Sequence, residues 1–137
     1  MADHFTLRLP PGSRQRLTEG ARRAHLPERT LAQRYVEEGL RRDAHPLIHF
    51  LNGPSGRRAS LVGRGLDVWE VIATVLDNDG SVAEAAAYLQ IPMGLVQAAV
   101  AYYGEYRDEI DTEIAANQAE YELGRAAAVA GEQALRE

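Results

Sequence analysis

The sequence predicts a mainly helical protein with one short strand at its amino terminus and a small hairpin further along. Residues 4–9 alternate polar and apolar side chains, which is the period of a half-buried strand. Most of the remaining chain spaces its apolar residues three and four apart, as amphipathic helices do. Only residues 47–62 carry two short apolar runs around a glycine, proline and serine cluster, which indicates a hairpin.

The amino-terminal strand has one polar face, formed by His4, Thr6 and Arg8, and one apolar face. A lone strand leaves its backbone groups unpaired, and no second strand of matching character follows nearby. We therefore expect it to pair with its copy in a second chain, as an antiparallel two-stranded ribbon with helices behind it. Such a ribbon fits the major groove of DNA. An ordinary edge strand with a surface arginine is the alternative.

Two helices are predicted after this strand. An amphipathic pattern covers residues 13–24, and Thr30 and Gln33 have the spacing of a capping box that would begin the second helix. His45 and Pro46 end it. Strand, helix, turn and helix together make a first module, residues 1–46.

A second module, residues 47–111, is predicted to contain the hairpin and three helices. Capping-box spacings begin two of these helices after Asp67 and Ser81, and a third helix covers 95–103. The last two have the outline of a helix-turn-helix. The final helix offers only Gln97 to a base edge, so we expect it to pack rather than to read DNA.

The carboxyl-terminal tail, residues 112–137, is rich in alanine and glutamate and has few apolar residues on any one face. This composition favours a helix. A helix with so few apolar residues on one face typically becomes ordered only when it binds in the groove of a partner protein. A solvated terminal helix that only lengthens the domain is the alternative.

Charge divides the sequence into a basic and an acidic part. Residues 1–66 hold 12 arginines and 6 acidic residues, whereas residues 67–137 hold 3 arginines and 14 acidic residues, for a net charge of -5. A basic segment suits a phosphate backbone, and an acidic segment is repelled by it. We therefore expect the first part to bind nucleic acid and the second to bind a protein.

The sequence has no cysteine and no apolar run at its amino terminus that could serve as a signal peptide. We expect a cytoplasmic location. Its most apolar region, residues 82–103, is interrupted by polar residues, so we expect no membrane span and no membrane partner.

We expect neither catalysis nor a bound metal or cofactor. His45 and His49 stand four residues apart, but a proline lies between them and no further histidine or cysteine is close. The acidic group at 108–111 has no neighbouring histidine, lysine or serine to complete a catalytic site. Capping and solvation of helices are the expected uses of that group.

The run His4-Phe5-Thr6-Leu7-Arg8-Leu9-Pro10 and the two helices after it resemble the ribbon-helix-helix family of bacterial repressors and antitoxins, with an Arc-like ribbon. The resemblance implies that His4, Thr6 and Arg8 read base edges. It also implies that the backbone amides of Thr30 and Leu31 clamp a phosphate. Arginine can bond guanine bidentately, and a helix amino terminus offers free amides. The glycine expected between the helices is missing.

A second resemblance is to the small helical domain of unknown function found in VapB-like antitoxins, over about residues 46–116. It implies a toxin encoded in the same operon, often a nuclease of the PIN type. It also implies that the tail covers the nuclease cleft, with Tyr121, Arg125 and Arg136 as the candidate contacts. The similar segments are Gly53-Pro54-x-Gly56-Arg57-Arg58-Ala59, Asp67-Val68-Trp69-Glu70-Val71, Ala98-Ala99-x-Ala101-Tyr102-Tyr103 and Asp108-Glu109-Ile110-Asp111.

Together these patterns predict the antitoxin of a type II toxin-antitoxin system. It would bind operator DNA as a homodimer or higher oligomer, act as transcription repressor of its own operon, and neutralise a PIN-type ribonuclease toxin. Two alternatives are a stand-alone DNA-binding transcription regulator and an interaction adaptor that does not bind DNA.

Overall fold

The computed structural model describes residues 4–53 and 56–137, and the chain divides into two compact units between Ala44 and His45. The predicted module boundary at residue 46 lies two residues after this division. The described residues form six helices and one two-stranded antiparallel sheet. The prediction of a mainly helical protein with a hairpin is therefore confirmed.

The first unit contains two helices, α1 (Pro11–Ala24) and α2 (Glu28–Ala44). Residues 4–10 have no regular secondary structure within the single chain. The predicted ribbon joins two chains, so its pairing stays a prediction. The turn after α1 needs no glycine, because His25 itself adopts the left-handed conformation, with φ 56° and ψ 42°.

The predicted start of α2 at Thr30 is wrong. The helix begins at Glu28, directly after Pro27, and the Leu31 amide donates to the Pro27 carbonyl at 3.1 Å. Proline suits the position before a helix because its φ is fixed and it has no N–H that would need a partner. Thr30 therefore lies inside the first turn and does not cap the helix.

The two helices of the first unit share a thin core. Among its described residues only Ala21 and Leu31 are fully buried. The helices approach closely at Gly20, where a Cβ atom would come within 3.3 Å of Leu31 Cδ2. Several large apolar side chains of this unit stay exposed, namely Phe5, Leu7, Tyr35, Val36 and Leu40.

The second unit opens with the predicted hairpin, formed by β1 (Ile48–Gly53) and β2 (Gly56–Leu61). Ile48 lies opposite Leu61 in the antiparallel register, and both side chains are buried. The hairpin therefore contributes one apolar end to the core of this unit.

Four helices follow the hairpin, and two of them begin where the capping patterns predict. The Asp67 amide donates to Glu70 Oε1 at 3.1 Å, and the Glu84 amide donates to Ser81 Oγ at 3.1 Å. Each contact satisfies an amide that has no partner within the helix. The helices are α3 (Val68–Asp77), α4 (Val82–Leu89), α5 (Met93–Glu105) and α6 (Arg107–Leu135).

The core of the second unit lies between the hairpin and α3 to α6. α5 buries Val96, Ala99 and Tyr102 in it, and α6 buries Ile110. α6 crosses the predicted boundary at residue 112 without a break and continues beyond the core, where every residue from 118 onward is exposed. No helix in the described part of the chain is long and apolar enough to span a membrane.

Replacing Ile110 should destabilise the second unit. Ile110→Ala removes a fully buried side chain and should lower the free energy of unfolding by about 3 kcal/mol. Tyr121→Ala, in the exposed part of the same helix, should change it by less than about 0.5 kcal/mol. Urea unfolding followed by the fluorescence of Trp69, the only tryptophan, measures both. Equal losses in the two variants would contradict the assigned core.

Candidate nucleic-acid interface and partner-binding tail

The residues predicted to read bases lie in the segment before α1. His4, Thr6 and Arg8 are all exposed, and among the described residues none of the three has a hydrogen-bond or ion-pair partner. Their side chains are therefore available for an external ligand. The structure keeps them on one short segment, as the sequence predicts.

The apolar residues of the same segment border a groove in the first unit. Leu7 and Leu9 line a cavity of about 400 Å³ together with Leu17, Tyr35 and Val36. Arg8, which stands between the two leucines, does not line it. Of the three apolar residues in the alternating segment, the two leucines therefore line the groove. Phe5 does not, and it exposes 84% of its surface.

The phosphate clamp predicted at Thr30 and Leu31 would lie at the amino terminus of α2, which begins two residues earlier than the sequence pattern indicated. Leu31 is excluded, since its amide is bonded to Pro27 and its side chain is buried. The first-turn amides that lack an acceptor within the helix are those of Glu28, Arg29 and Thr30. An anion at this helix terminus would therefore meet the amides of Glu28, Arg29 and Thr30. The misplaced capping box had concealed the first two.

An ion pair lowers the negative charge at this helix terminus. Arg14 Nη2 lies 2.7 Å from Glu28 Oε2. An unpaired carboxylate there would repel an anion and occupy the positive end of the helix dipole. With Glu28 paired to Arg14, the free amides stand beside Arg29 in a segment that is basic overall.

The charge division follows the two units. Residues 1–44 hold nine arginines and six acidic residues, whereas residues 45–137 hold six arginines and 14 acidic residues. A polyanion is attracted to the first unit and repelled by the second. The groove, the polar segment and the α2 terminus all belong to the basic unit.

The three predicted toxin contacts are exposed on α6 or at its end. Tyr121 and Arg125 are four residues apart, and Arg136 is 11 residues beyond Arg125 in helical conformation. At 3.6 residues per turn, these spacings place all three on one side of the helix. The structure therefore brings them together as a single exposed strip.

Paired tyrosines and carboxylates join α5 to α6, a feature that sequence reasoning missed. The Tyr102 hydroxyl donates to Glu109 Oε2 at 2.9 Å, and the Tyr103 hydroxyl donates to Asp111 Oδ1 at 2.7 Å. The bond to Asp111, together with burial and its negative charge, raises the pKa of Tyr103. The tyrosine pair of α5 and the acidic segment at 108–111 of α6 therefore contact each other and hold the two helices together.

His45 lies in the same aromatic region. Its Nε2 is 3.1 Å from Glu105 Oε1, and its ring packs edge-on against Tyr102 and Tyr106, with centroids 5.3 Å and 6.2 Å away. Among the described residues, no group of three or more histidine, cysteine, aspartate or glutamate side chains is placed to hold a metal ion. The contacts of His45 are those of a buried packing residue.

A polar cluster at the start of α3 lies near Glu113, a carboxyl group whose pKa is raised. Asp67 Oδ2 lies 2.9 Å from Arg58 Nε and accepts from Trp69 Nε1 at 3.2 Å. Glu113 stands near this cluster, and its buried Oε2 has no hydrogen-bond partner in the described part of the chain. Burial, reinforced by the charges of Glu109 and Asp67, raises the pKa of Glu113 to about 7.

Comparisons with protein-family models, with curated proteins and with solved structures found no match to this chain.

Glu113→Gln should remove part of the pH dependence of stability. The pKa of Glu113 is raised from 4.5 to about 7 in the folded chain, so its stabilising effect is complete below pH 4.5 and is lost as the pH rises to 7. At pH 8 the free energy of unfolding of the glutamine variant should be about 1 kcal/mol higher than that of the wild type. This figure allows for solvent screening of the half-exposed group. Urea midpoints at pH 5 and pH 8 measure the difference, with Glu120→Gln as exposed control. Parallel curves for Glu113→Gln and wild type would contradict the pKa.

Proposed function

We propose that this chain is the antitoxin of a type II toxin-antitoxin pair, similar to VapB antitoxins, and that it represses its own operon as a ribbon-helix-helix dimer in the cytoplasm. One observation in the first unit carries the proposal. His4, Thr6 and Arg8 are exposed, while Leu7 and Leu9 of the same segment line a mainly apolar groove. This arrangement suits pairing with a second copy on one side and DNA on the other.

The small core of the first unit supports dimerisation. Two fully buried residues cannot stabilise a unit of this size alone, because a short chain buries too little of its apolar surface. Leu40 and Tyr35 expose 62% and 58% of their surface, and Phe5 exposes 84%. A second copy that pairs along residues 4–9 would cover these side chains and satisfy the unpaired backbone of the segment.

The polar side of the segment supports DNA binding. Leu7 and Leu9 line the groove, whereas His4, Thr6 and Arg8 do not. If the segment pairs as a ribbon, successive side chains point to opposite faces, so the polar residues would face away from the helices. Two antiparallel copies would present six such side chains to the major groove, where arginine recognises guanine. The first-turn amides of α2 and the nearby arginines would hold the phosphates on either side.

The exposed end of α6 supports a protein partner. Tyr121, Arg125 and Arg136 lie on one side of the outer turns of α6 and its end, where every described residue is exposed. An arginine there could pair with the metal-binding carboxylates of a PIN-type nuclease and block its active site. The acidic second unit would keep this helix away from DNA, so each partner would have its own end of the chain.

If the chain forms the proposed dimer, Val36→Glu should dissociate it into monomers. Val36 lines the groove and is half exposed in the single chain, so the change is tolerated by a monomer and places two charges in the interface of a dimer. Sedimentation should show the mass falling from dimer to monomer, with loss of operator binding. Gln33→Glu, exposed on α2 outside the groove, is the matched control and should stay dimeric. A wild-type chain that sediments as a monomer would overturn the proposed dimer.

If DNA binds the amino-terminal segment and a toxin binds α6, two arginine substitutions should each weaken a different interaction. Arg8→Ala should weaken binding to a fragment of the chain's own promoter at least 10-fold, because each bidentate base contact contributes about 1 to 3 kcal/mol. Arg125→Ala should leave that binding unchanged and weaken capture of the toxin encoded next to it. Gel shift at fixed salt and co-purification measure the two affinities. Unaltered DNA binding by Arg8→Ala contradicts the ribbon, and absence of a neighbouring toxin gene favours a stand-alone regulator.

A further inference from the structure

The last turn of α6 that contacts the core of the second unit contains Glu113. Ile114 packs against this core and Asn117 is half-buried, whereas every residue from 118 onward is exposed. One turn earlier, Ile110 is fully buried. We call residues 113–117 the contact turn of α6. The outer part of the helix is therefore attached to the core through this turn.

Glu113 is the one charged residue of the contact turn, and part of its carboxyl group is buried without a donor. Its Oε2 is buried and accepts no hydrogen bond from the described part of the chain. An ionised carboxylate needs donors at both oxygens, whereas a protonated carboxyl group is uncharged and has an O–H of its own. Burial at this position therefore costs the anion more free energy than it costs the acid.

The charged groups around Glu113 also favour a bound proton. Asp67, which precedes α3, and Glu109, one turn earlier on α6, raise the pKa of Glu113, and Arg58 of β2 lowers it. Arg58 is already engaged, because its Nε lies 2.9 Å from Asp67 Oδ2 and its Nη1 donates to the Asn52 carbonyl at 2.8 Å. Three carboxyl groups thus lie near one arginine, which is bonded to only one of them.

The other polar groups of this cluster are bonded to one another. The Tyr102 hydroxyl of α5 donates to Glu109 at 2.9 Å, and Trp69 Nε1 donates to Asp67 at 3.2 Å. The Asp67 amide donates to Glu70 at 3.1 Å. These bonds occupy the donors that α3 and α5 supply here, so a charge on the contact turn is left without compensation.

We propose that the contact turn is a pH-sensitive switch, which stays packed on the core while Glu113 is protonated and opens when Glu113 loses its proton. Opening exposes the carboxylate to water, whose O–H groups supply the missing donors, and moves it away from Asp67. Ile110 stays buried. The outer part of α6 thereby loses its attachment while the rest of the second unit keeps its fold.

The direction of the switch follows from the two protonation equilibria of Glu113. Its pKa is about 7 while the turn is packed and returns towards 4.5 when the turn is open. The packed form therefore binds the proton more tightly. Packing is most stable below pH 4.5, loses stability as the pH rises, and is weakest once the pH has passed 7.

This inference concerns the second unit alone and goes beyond the proposed function. It gives α6 a response to pH whether or not the chain binds DNA or a toxin.

Amide hydrogen exchange in the full chain tests the switch, with protection factors corrected for the pH dependence of the intrinsic exchange rate. In the wild type, protection of the amides at 114–117 should fall about 10-fold between pH 5.5 and pH 7.5. Glu113→Gln stays neutral, so its protection should change by less than about twofold over the same range. Glu120→Gln, at an exposed position of the same helix, is the control and should behave as the wild type. The same pH dependence in Glu113→Gln and wild type would overturn the proposal.

Dilute urea separates local opening of the turn from unfolding of the whole unit. Local opening exposes little surface, so exchange at 114–117 should hardly respond to urea, whereas exchange at the buried Val96 should accelerate with it. The Glu113 carboxyl carbon, followed by NMR, should titrate near pH 7, where the loss of protection levels off. Exchange at 114–117 that matches that of Val96 at every pH and urea concentration would refute the switch and leave the proposed function intact.

Discussion

The second unit depends on the buried side chain of Tyr102. Its ring packs against His45 and Phe50, with centroids 5.3 Å and 6.3 Å away, and its hydroxyl donates to Glu109. Burial of a large ring stabilises the unit, and the carboxylate supplies the partner that a buried hydroxyl needs. Tyr102 therefore connects His45, which lies three residues before the hairpin, with strand β1 and the first turn of α6. The exposed part of α6 has a fixed base because of this connection.

Element boundaries were predictable where neighbouring residues decide them. Ser81 caps α4 through a hydroxyl that needs only the amide three residues later, and Asp67 with Glu70 acts similarly at α3. The start of α2 was not predictable from the same pattern, because Pro27 sets the backbone three residues before the capping-box pattern at Thr30 and the helix begins at Glu28. A capping spacing is informative only if the residue before it is not already helical.

At the candidate nucleic-acid interface, the sequence predicted part of the side-chain arrangement but not which apolar residues the chain itself covers. Alternation in residues 4–9 predicts one apolar face, and Leu7 and Leu9 do line the groove, but Phe5 does not and stays exposed. An amphipathic pattern does not say which apolar residues their own chain covers, so the exposure of Tyr35 and Leu40 came only from the structure. The bonds from Tyr102 and Tyr103 to α6 were also hidden, since they depend on how α5 and α6 meet.

The unbroken course of α6 from the core into solvent has a consequence for local stability. The turns around Ile110 can open only when the core opens, whereas the turns beyond residue 118 are held by helix hydrogen bonds alone. Amide hydrogens should therefore exchange slowly at the base of the helix and rapidly towards Leu135. A protease that cuts in the outer turns would remove the exposed end of α6 and leave the hairpin and α3 to α5 folded. The chain could thus lose this exposed end without unfolding the rest of the second unit.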